Sequence, residues 1–370
     1  MKTISKASFF NASTGGAVPW RRAKRHIEMW VIIWSACTHA LPNDTVHAIR
    51  DSAIALTAEM SAYLYNTEYD NELREGLTTI GSYVNARCVF RPTRECRFSL
   101  GAHGRKNFGD EDFFTDVRPL FRAQYRRGIY AFTLGELMFT RERHFLPDAL
   151  LREEYTYDPA VEEGIEFFFD GRRVHQDLWI RYAAENTWRH REHISAGNFT
   201  RVTVGPVVMS AMAYADHYGG QMCAPLGDPV RWNIAGGAAI TVRFDFEGTV
   251  NETGAQQYIL ASYAKDGPES PHDNGWGSLS RVWIGVAGFV CRFGYFQGHD
   301  FIAWEGNPLY RLQRPYYNIE VSRKMNLSGG VFLEFGGRLE FAGIDIAEYP
   351  GNCENVVWVN MGWSVERYAR

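Results

Sequence analysis

The sequence predicts an all-β protein, a closed antiparallel transmembrane β-barrel of about sixteen strands. Three observations predict it. Beyond Thr57, apolar and polar residues alternate at period two through most of the chain, which marks strands with two unlike faces. The links between these stretches are alternately short and long. Aromatic residues make up 15% of the 370 residues and gather near the ends of the stretches, where a membrane interface holds them.

The N-terminal segment reads first. Residues 21–26 (RRAKRH) are basic, residues 29–36 (MWVIIWSA) are apolar, and Thr38-His39-Ala40 follow. These are the parts of a secretory signal peptide; the alternative is a short amphipathic helix. Residues 1–40 are therefore expected to be an N-terminal extension with a signal peptide, residues 41–56 a short periplasmic segment, and residues 57–370 the barrel.

Each strand is justified by its own alternation. Residues 231–246 read RWNIAGGAAITVRFDF, with Trp232, Ile234, Ala238, Ile240, Val242 and Phe244 on one face and Arg231, Asn233, Thr241, Arg243 and Asp245 on the other. Residues 331–341 set Val331, Leu333, Phe335, Leu339 and Phe341 against Glu334, Arg338 and Glu340. Residues 117–126 set Val117, Phe121, Ala123 and Tyr125 against Arg118, Arg122, Gln124 and Arg126. Residues 174–185 set Leu178, Ile180 and Tyr182 against His175, Asp177, Arg181 and Glu185, and residues 316–324 and 356–366 alternate likewise. Stretches of roughly ten residues suffice to cross a bilayer as tilted strands.

Short links fall at Arg91-Pro92, Arg127-Gly128, Asp170-Gly171, Gly205-Pro206, residues 248–254, Gly288 and residues 326–330. Long polar links fall at residues 68–75, 108–116, 141–162, 185–192, 217–229, 265–277, 299–314 and 342–354. Short periplasmic turns and long extracellular loops arranged in this order imply about sixteen strands with both ends of the chain on the periplasmic side. A soluble sandwich or propeller also alternates, but neither has reason to alternate its link lengths, and no blade-length repeat is present. Phe90, Tyr130, Trp232, Trp276, Phe289, Tyr317 and Trp363 would form the interface girdles.

Residues 355–365 (NVVWVNMGWSV) resemble the closing strand of bacterial outer-membrane β-barrels, although residues 366–370 follow the last alternating position. Glu68-Tyr69-Asp70-Asn71-Glu72 and Gly298-His299-Asp300-Phe301 look like loop motifs of porin-like proteins. The resemblance covers roughly residues 55–370. It implies residence in the outer membrane of a Gram-negative bacterium, with outer-membrane lipids, lipopolysaccharide and the barrel-assembly machinery as partners. A net charge of −4 argues against a nucleic-acid partner.

Polar faces that point away from lipid line a lumen. Arg97, Arg105, Arg118, Arg122, Arg126, Arg181, Arg243, Arg292, Glu320, Glu334, Arg338 and Glu340 are the expected pore-lining residues. Arg is in excess over residues 97–126, so an open pore is expected to favour small anionic solutes. The same residues could instead pair into a network that stiffens the barrel. Residues 141–162 and the aromatic-rich residues 299–314 are candidates for a plug, gate or sugar platform, or they pack at the rim.

Enzymatic chemistry needs a constellation, and none is continuous in sequence. His103, His144, His190, His193, His217, His272 and His299 are scattered, with Asp110, Asp216, Asp273 and Asp300 as carboxylates. His190 and His193 flank Arg191-Glu192, a weak metal-ligand spacing, and no GxSxG, HExxH or EF-hand pattern occurs. The expectation is thus a porin-like channel for small solutes, without enzymatic activity, cofactor or metal. The alternatives are a polysaccharide export or binding barrel and a lipid-modifying enzyme with a rim active site. Clustering of His, Ser and Asp at one rim would favour the last. Cys88 with Cys96, or Cys223 with Cys353, could form a disulfide in an oxidising compartment.

Overall fold

The computed structural model describes residues 53–71, 74–139, 144–157, 160–220, 222, 229–267, 269–311, 315–342 and 353–368. The expected signal peptide and residues 41–52 lie outside them. The strands are β1 (Ala53–Asn71), β2 (Arg74–Arg91), β3 (Cys96–Asn107), β4 (Asp116–Arg127), β5 (Tyr130–Phe139), β6 (Ala160–Asp170), β7 (Val174–Ala184) and β8 (His193–Val204). The second half of the wall is β9 (Val207–Tyr218), β10 (Arg231–Asp245), β11 (Val250–Lys265), β12 (Asp273–Val286), β13 (Phe289–His299), β14 (Tyr316–Asn326), β15 (Val331–Ala342) and β16 (Cys353–Tyr368). Each strand pairs antiparallel with its sequence neighbours, and β16 returns to β1, closing a sixteen-strand barrel. Closure leaves no edge strand, the condition for a sheet to stand in lipid.

The period-two pattern becomes two surfaces. Ile240 (56% exposed), Val282, Ile319 and Leu339 face outward, while Asn233, Ala235, Asp177, Arg181, Arg338 and Glu340 are buried inside. Trp232 and Trp276 stand exposed near the loop end and Phe90 and Tyr130 near the turn end, whereas Trp179 and Trp358 are buried inward. A charge on the outer surface has no partner in lipid. Ile240→Arg is expected to destabilise the barrel by about 2–4 kcal/mol if it sits near the midplane, whereas Arg243→Gln inside should cost much less. Unfolding of the lipid-inserted protein in urea measures both, and equal costs would contradict the outward placement.

Several sequence expectations shift by a few residues. β1 begins at Ala53, so residues 53–56 belong to the barrel rather than to a preceding segment. β1 and β2 run on to Asn71 and from Arg74, which shrinks the link expected at residues 68–75. Polar residues at the mouth of a barrel can continue the ladder beyond the apolar belt, so polarity alone overstates the loop. β11 begins at Val250 because Gly248, at φ 130°, completes the reversal and a register shift absorbs the irregularity. Cys88 lies opposite Leu100, not Cys96, and both thiols are free. The turn at residues 92–95 sets that register. The alternative Cys223–Cys353 pairing involves Cys223, which lies outside the described residues.

The closing strand extends past the alternation seen in sequence, pairing from Glu68↔Asn355 to Ala55↔Tyr368. Glu366 is not a free tail: Arg91 Nη2 donates to it at 2.8 Å, and Arg97 lies 3.6 Å away.

Residues 144–157 of the link between β5 and β6 and residues 300–311 of the link between β13 and β14 fold into the lumen. The first carries a short helix α1 (Glu154–Tyr157) and the second a 3₁₀ turn (Pro308–Arg311). Arg152 N–H donates to Glu305 O and Asn307 N–H to Asp148 O, binding the two links together. Leu146, Ala149, Leu150, Leu151, Phe301, Ala303, Leu309 and Tyr310 pack with the inward Trp179, Phe199, Met212, Tyr214, Tyr258 and Leu279 into one buried cluster. Aromatic sequence in the second link thus signals a segment inside the barrel, not packing at the rim, because those rings have apolar wall residues to meet.

Candidate functional site

Three neighbouring strands bring polar groups together at the loop end. Arg181 lies near the end of β7, His193 and Ser195 at the start of β8, and Tyr214 and Asp216 near the end of β9. Period two places His193 and Ser195 on one face, and Tyr214 and Asp216 on one face opposite them. Ser195 lies across from Asp216 in the β8–β9 ladder. The infolded link between β13 and β14 supplies Glu305, and α1 supplies Tyr155.

Asp216 Oδ1 is the hub. His193 Nε2 lies 3.0 Å from it, Ser195 Oγ donates at 2.8 Å and the Tyr214 hydroxyl donates at 3.1 Å. Asp216 Oδ2 is buried without a hydrogen-bond partner among the described residues. Arg181 Nη2 donates to Ser195 Oγ at 2.8 Å, and Ser195 Oγ lies 3.4 Å from His193 Nε2. An Nε2–H bonded to Asp216 fixes the tautomer in which Nδ1 keeps its lone pair. The imidazole stacks on Tyr218 at 4.1 Å, and Tyr218 touches Trp304. Ser195 and Asp216 are fully buried, whereas the His193 side chain is 14% exposed.

Around this hub stand cations. Arg152, 40% exposed, lies 3.6 Å from Glu305. Arg311 donates to the carbonyls of Ala303 and Trp304, and burial together with the neighbouring Arg152 pushes its guanidinium down from the usual range. The Tyr155 hydroxyl donates to Glu305; burial and that carboxylate push it well up, so it stays protonated. Ligand atoms of His193, Asp216 and Glu305 lie within 4.8 Å of one another, so this donor set could also hold a cation.

A second group, His144, Glu166 and Asp177, converges similarly. His144 Nδ1 is 2.7 Å from Asp177 Oδ2 and all three are fully buried. Asp177 and Arg181 share one face of β7, about 13 Å apart along the strand, with Trp179 between them. Gly197 makes room for that indole: a Cβ there would come within 2.2 Å of it. The sealed group is therefore walled off from the rim, and of the two groups the His193 cluster is the one that meets the loop-end surface.

Among the described residues, the other candidate histidines do not assemble. His190 is exposed, His103 bonds Asn85, His217 packs on Trp232, His272 meets the Tyr263 hydroxyl, and His299 pairs with Asp300. The expected pore-lining residues all lie on inward positions, but they are dispersed and largely paired. Arg118 bonds Asp116 at 2.8 Å, Arg243 meets Asp245 and Glu252, Arg292 meets Glu320, and Glu334 meets Lys324. Arg338 binds Glu340 at 2.7 Å and also Glu153 of the first infolded link. Arg97 is held at Glu366, Arg181 joins the rim cluster, and Arg105, Arg122 and Arg126 stand on the β3–β4 wall away from it.

An apolar outer belt, sixteen closed strands and a polar cluster at the loop-end mouth define a bacterial outer-membrane β-barrel protein, and the outer membrane is where it resides. The chain belongs to the lipid A 3'-O-deacylase-type family, whose model matches residues 46–335. That is a family of enzymes, which overturns the expectation of a barrel without enzymatic activity. The expectation failed because the constellation is assembled across strands and leaves no contiguous motif. No curated protein matches the sequence. Among solved structures, the fold is similar to the outer-membrane expressed OmpT of Vibrio cholerae, with a TM-score of 0.54 at 9% identity over 87% of this chain and 100% of that one. It is also similar to the anion-selective porin from Comamonas acidovorans, with a TM-score of 0.53 at 11% identity over 85% of this chain and 100% of that one. OccK11 of Pseudomonas aeruginosa gives 0.51 at 9% identity, over 86% and 96%. At such identities the likeness is one of fold.

Proposed function

We propose that the protein hydrolyses an acyl ester on an anionic glycolipid of the outer leaflet, of the lipid A class. The observation that carries this reading is the His193–Asp216 pair, placed at the membrane-exterior mouth and partly open to it. Asp216 holds the imidazole through Nε2–H, and Nδ1 takes a proton from water as that water attacks the ester carbonyl. The imidazolium then returns the proton to the leaving oxygen as the acyl C–O bond breaks, which frees the glycolipid hydroxyl and a fatty acid. Ser195 is fully buried and its hydroxyl is already engaged by Asp216 and Arg181, so it serves better as a positioning group than as the nucleophile. Arg152 and Arg311, between which Glu305 is the one carboxylate among the described residues with an ion pair to either, suit a lipid phosphate or the developing oxyanion. The family assignment supports the same chemistry. A passive channel has less support, since the infolded links pack against the wall across the barrel's middle.

The test is the lipid A of a Gram-negative host expressing the protein. Wild type is expected to produce a species lighter by the mass of one acyl substituent, and His193→Gln is expected to leave lipid A intact. Identical mass spectra from cells carrying equal amounts of folded wild-type and variant barrel would refute the assignment.

A further inference from the structure

Below the infolded links, toward the turn end, lies a second space that the rim chemistry does not use. Its volume is about 700 Å³, within the range of small-molecule sites. It is reached past Arg243, whose side chain is 55% exposed, and Arg292, 36% exposed. The two walls differ. One is apolar and formed by Phe145, Leu146, Phe199, Val208 and Met212. The other is charged but internally neutralised: Arg281 binds Asp148, Arg292 binds Glu320, Arg243 binds Glu252, and Arg338 binds Glu340.

Arg201 is the exception. It lines the cavity on the apolar side, its Cζ lies 5.3 Å from the Phe145 ring, and no carboxylate pairs with it among the described residues. Phe145 in turn stacks on Phe199 at 5.3 Å, which holds the ring under the guanidinium. His175, whose ring lies 5.1 Å from that of Phe145, is already bonded to Asp170. A planar guanidinium fixed against a ring presents its fork to a carboxylate in two parallel hydrogen bonds.

We infer that this turn-end cavity binds a monoanionic amphiphile, its carboxylate on Arg201 and its hydrocarbon along Phe145, Phe199 and Met212. One unpaired cation calls for one negative charge, and the apolar wall beside it calls for a chain rather than a compact anion. A dianionic phosphate would leave charge unmatched and the apolar wall uncovered. The inference does not rest on the rim chemistry, from which the cavity is separated by the buried cluster.

The probe is radiolabelled octanoate, titrated by equilibrium dialysis into the full-length barrel held in amphipol. Wild type is expected to bind one equivalent saturably. Arg201→Gln is expected to weaken binding at least about tenfold, the loss of a charge-assisted hydrogen-bonded pair, and Val208→Trp to abolish it by filling the space. Inorganic phosphate should not compete. Asp216→Asn should bind octanoate as wild type does, so failure of the rim chemistry and failure of this site are read separately. Non-saturable uptake alone, equal affinity in wild type and Arg201→Gln, or displacement by phosphate would each overturn the proposal.

Discussion

Asp216→Asn is expected to lower the rate of acyl-ester hydrolysis by about 10²–10⁴-fold, the range that a positioned general base supplies. Asparagine keeps the shape of the side chain but removes the charge that stabilises the imidazolium. Its amide can also turn a donor toward Nε2, which favours the tautomer with the proton on Nδ1 and so blocks the base. The substitution leaves Tyr214 and Arg181 in place, so folding should be little affected. Ser195→Ala separates two mechanisms. A loss below about tenfold fits water as the nucleophile, whereas a loss matching that of Asp216→Asn would make Ser195 Oγ the attacking atom. Initial rates on purified lipid A, measured by mass spectrometry with equal amounts of folded protein, decide between them.

Arg338→Met is expected to destabilise the barrel by about 3–5 kcal/mol, the cost of stranding buried carboxylates by removing their cation. Arg338 is 3% exposed and joins Glu340 of its own strand to Glu153 of the first infolded link, with Glu320 at 3.7 Å. Methionine fills comparable volume without charge, so the effect reports electrostatics rather than a void. Because Glu153 belongs to the infolded link, the same variant should loosen the filling of the lumen. Thermal unfolding followed by the heat-dependent shift in electrophoretic mobility measures the first effect, and planar-bilayer conductance measures the second. A stable and non-conducting Arg338→Met variant would show that apolar packing by Leu150, Leu151 and Phe301 holds the links without this network.

Much of the barrel was legible because its code is local. Alternation assigns Ile240 outward and Arg338 inward from neighbouring residues alone, and Gly205-Pro206 or Arg127-Gly128 mark turns wherever they stand. The rim cluster was legible only in fragments. His193 and Asp216 stood out as chemistry-bearing types, yet they are separated by a full hairpin, and only the β8–β9 register sets Ser195 across from Asp216. Glu305 and Arg311 were hidden more deeply, in a link whose path into the barrel depends on packing against Tyr258, Leu279 and Phe296. The aromatic content of that link was the available signal. It pointed to burial, but did not say against what.

The placement of the indoles gives the barrel optical reporters in separate compartments. Trp179 and Trp358, 1% exposed inside the wall, are shielded from acrylamide and from brominated acyl chains alike. Trp232 and Trp276 face the bilayer near one interface and lie within reach of brominated lipid, while Trp188, 72% exposed in the link after β7, meets water. Emission from single-tryptophan variants therefore follows insertion, interior packing and loop solvation as distinct signals in one refolding experiment, with no dye attached.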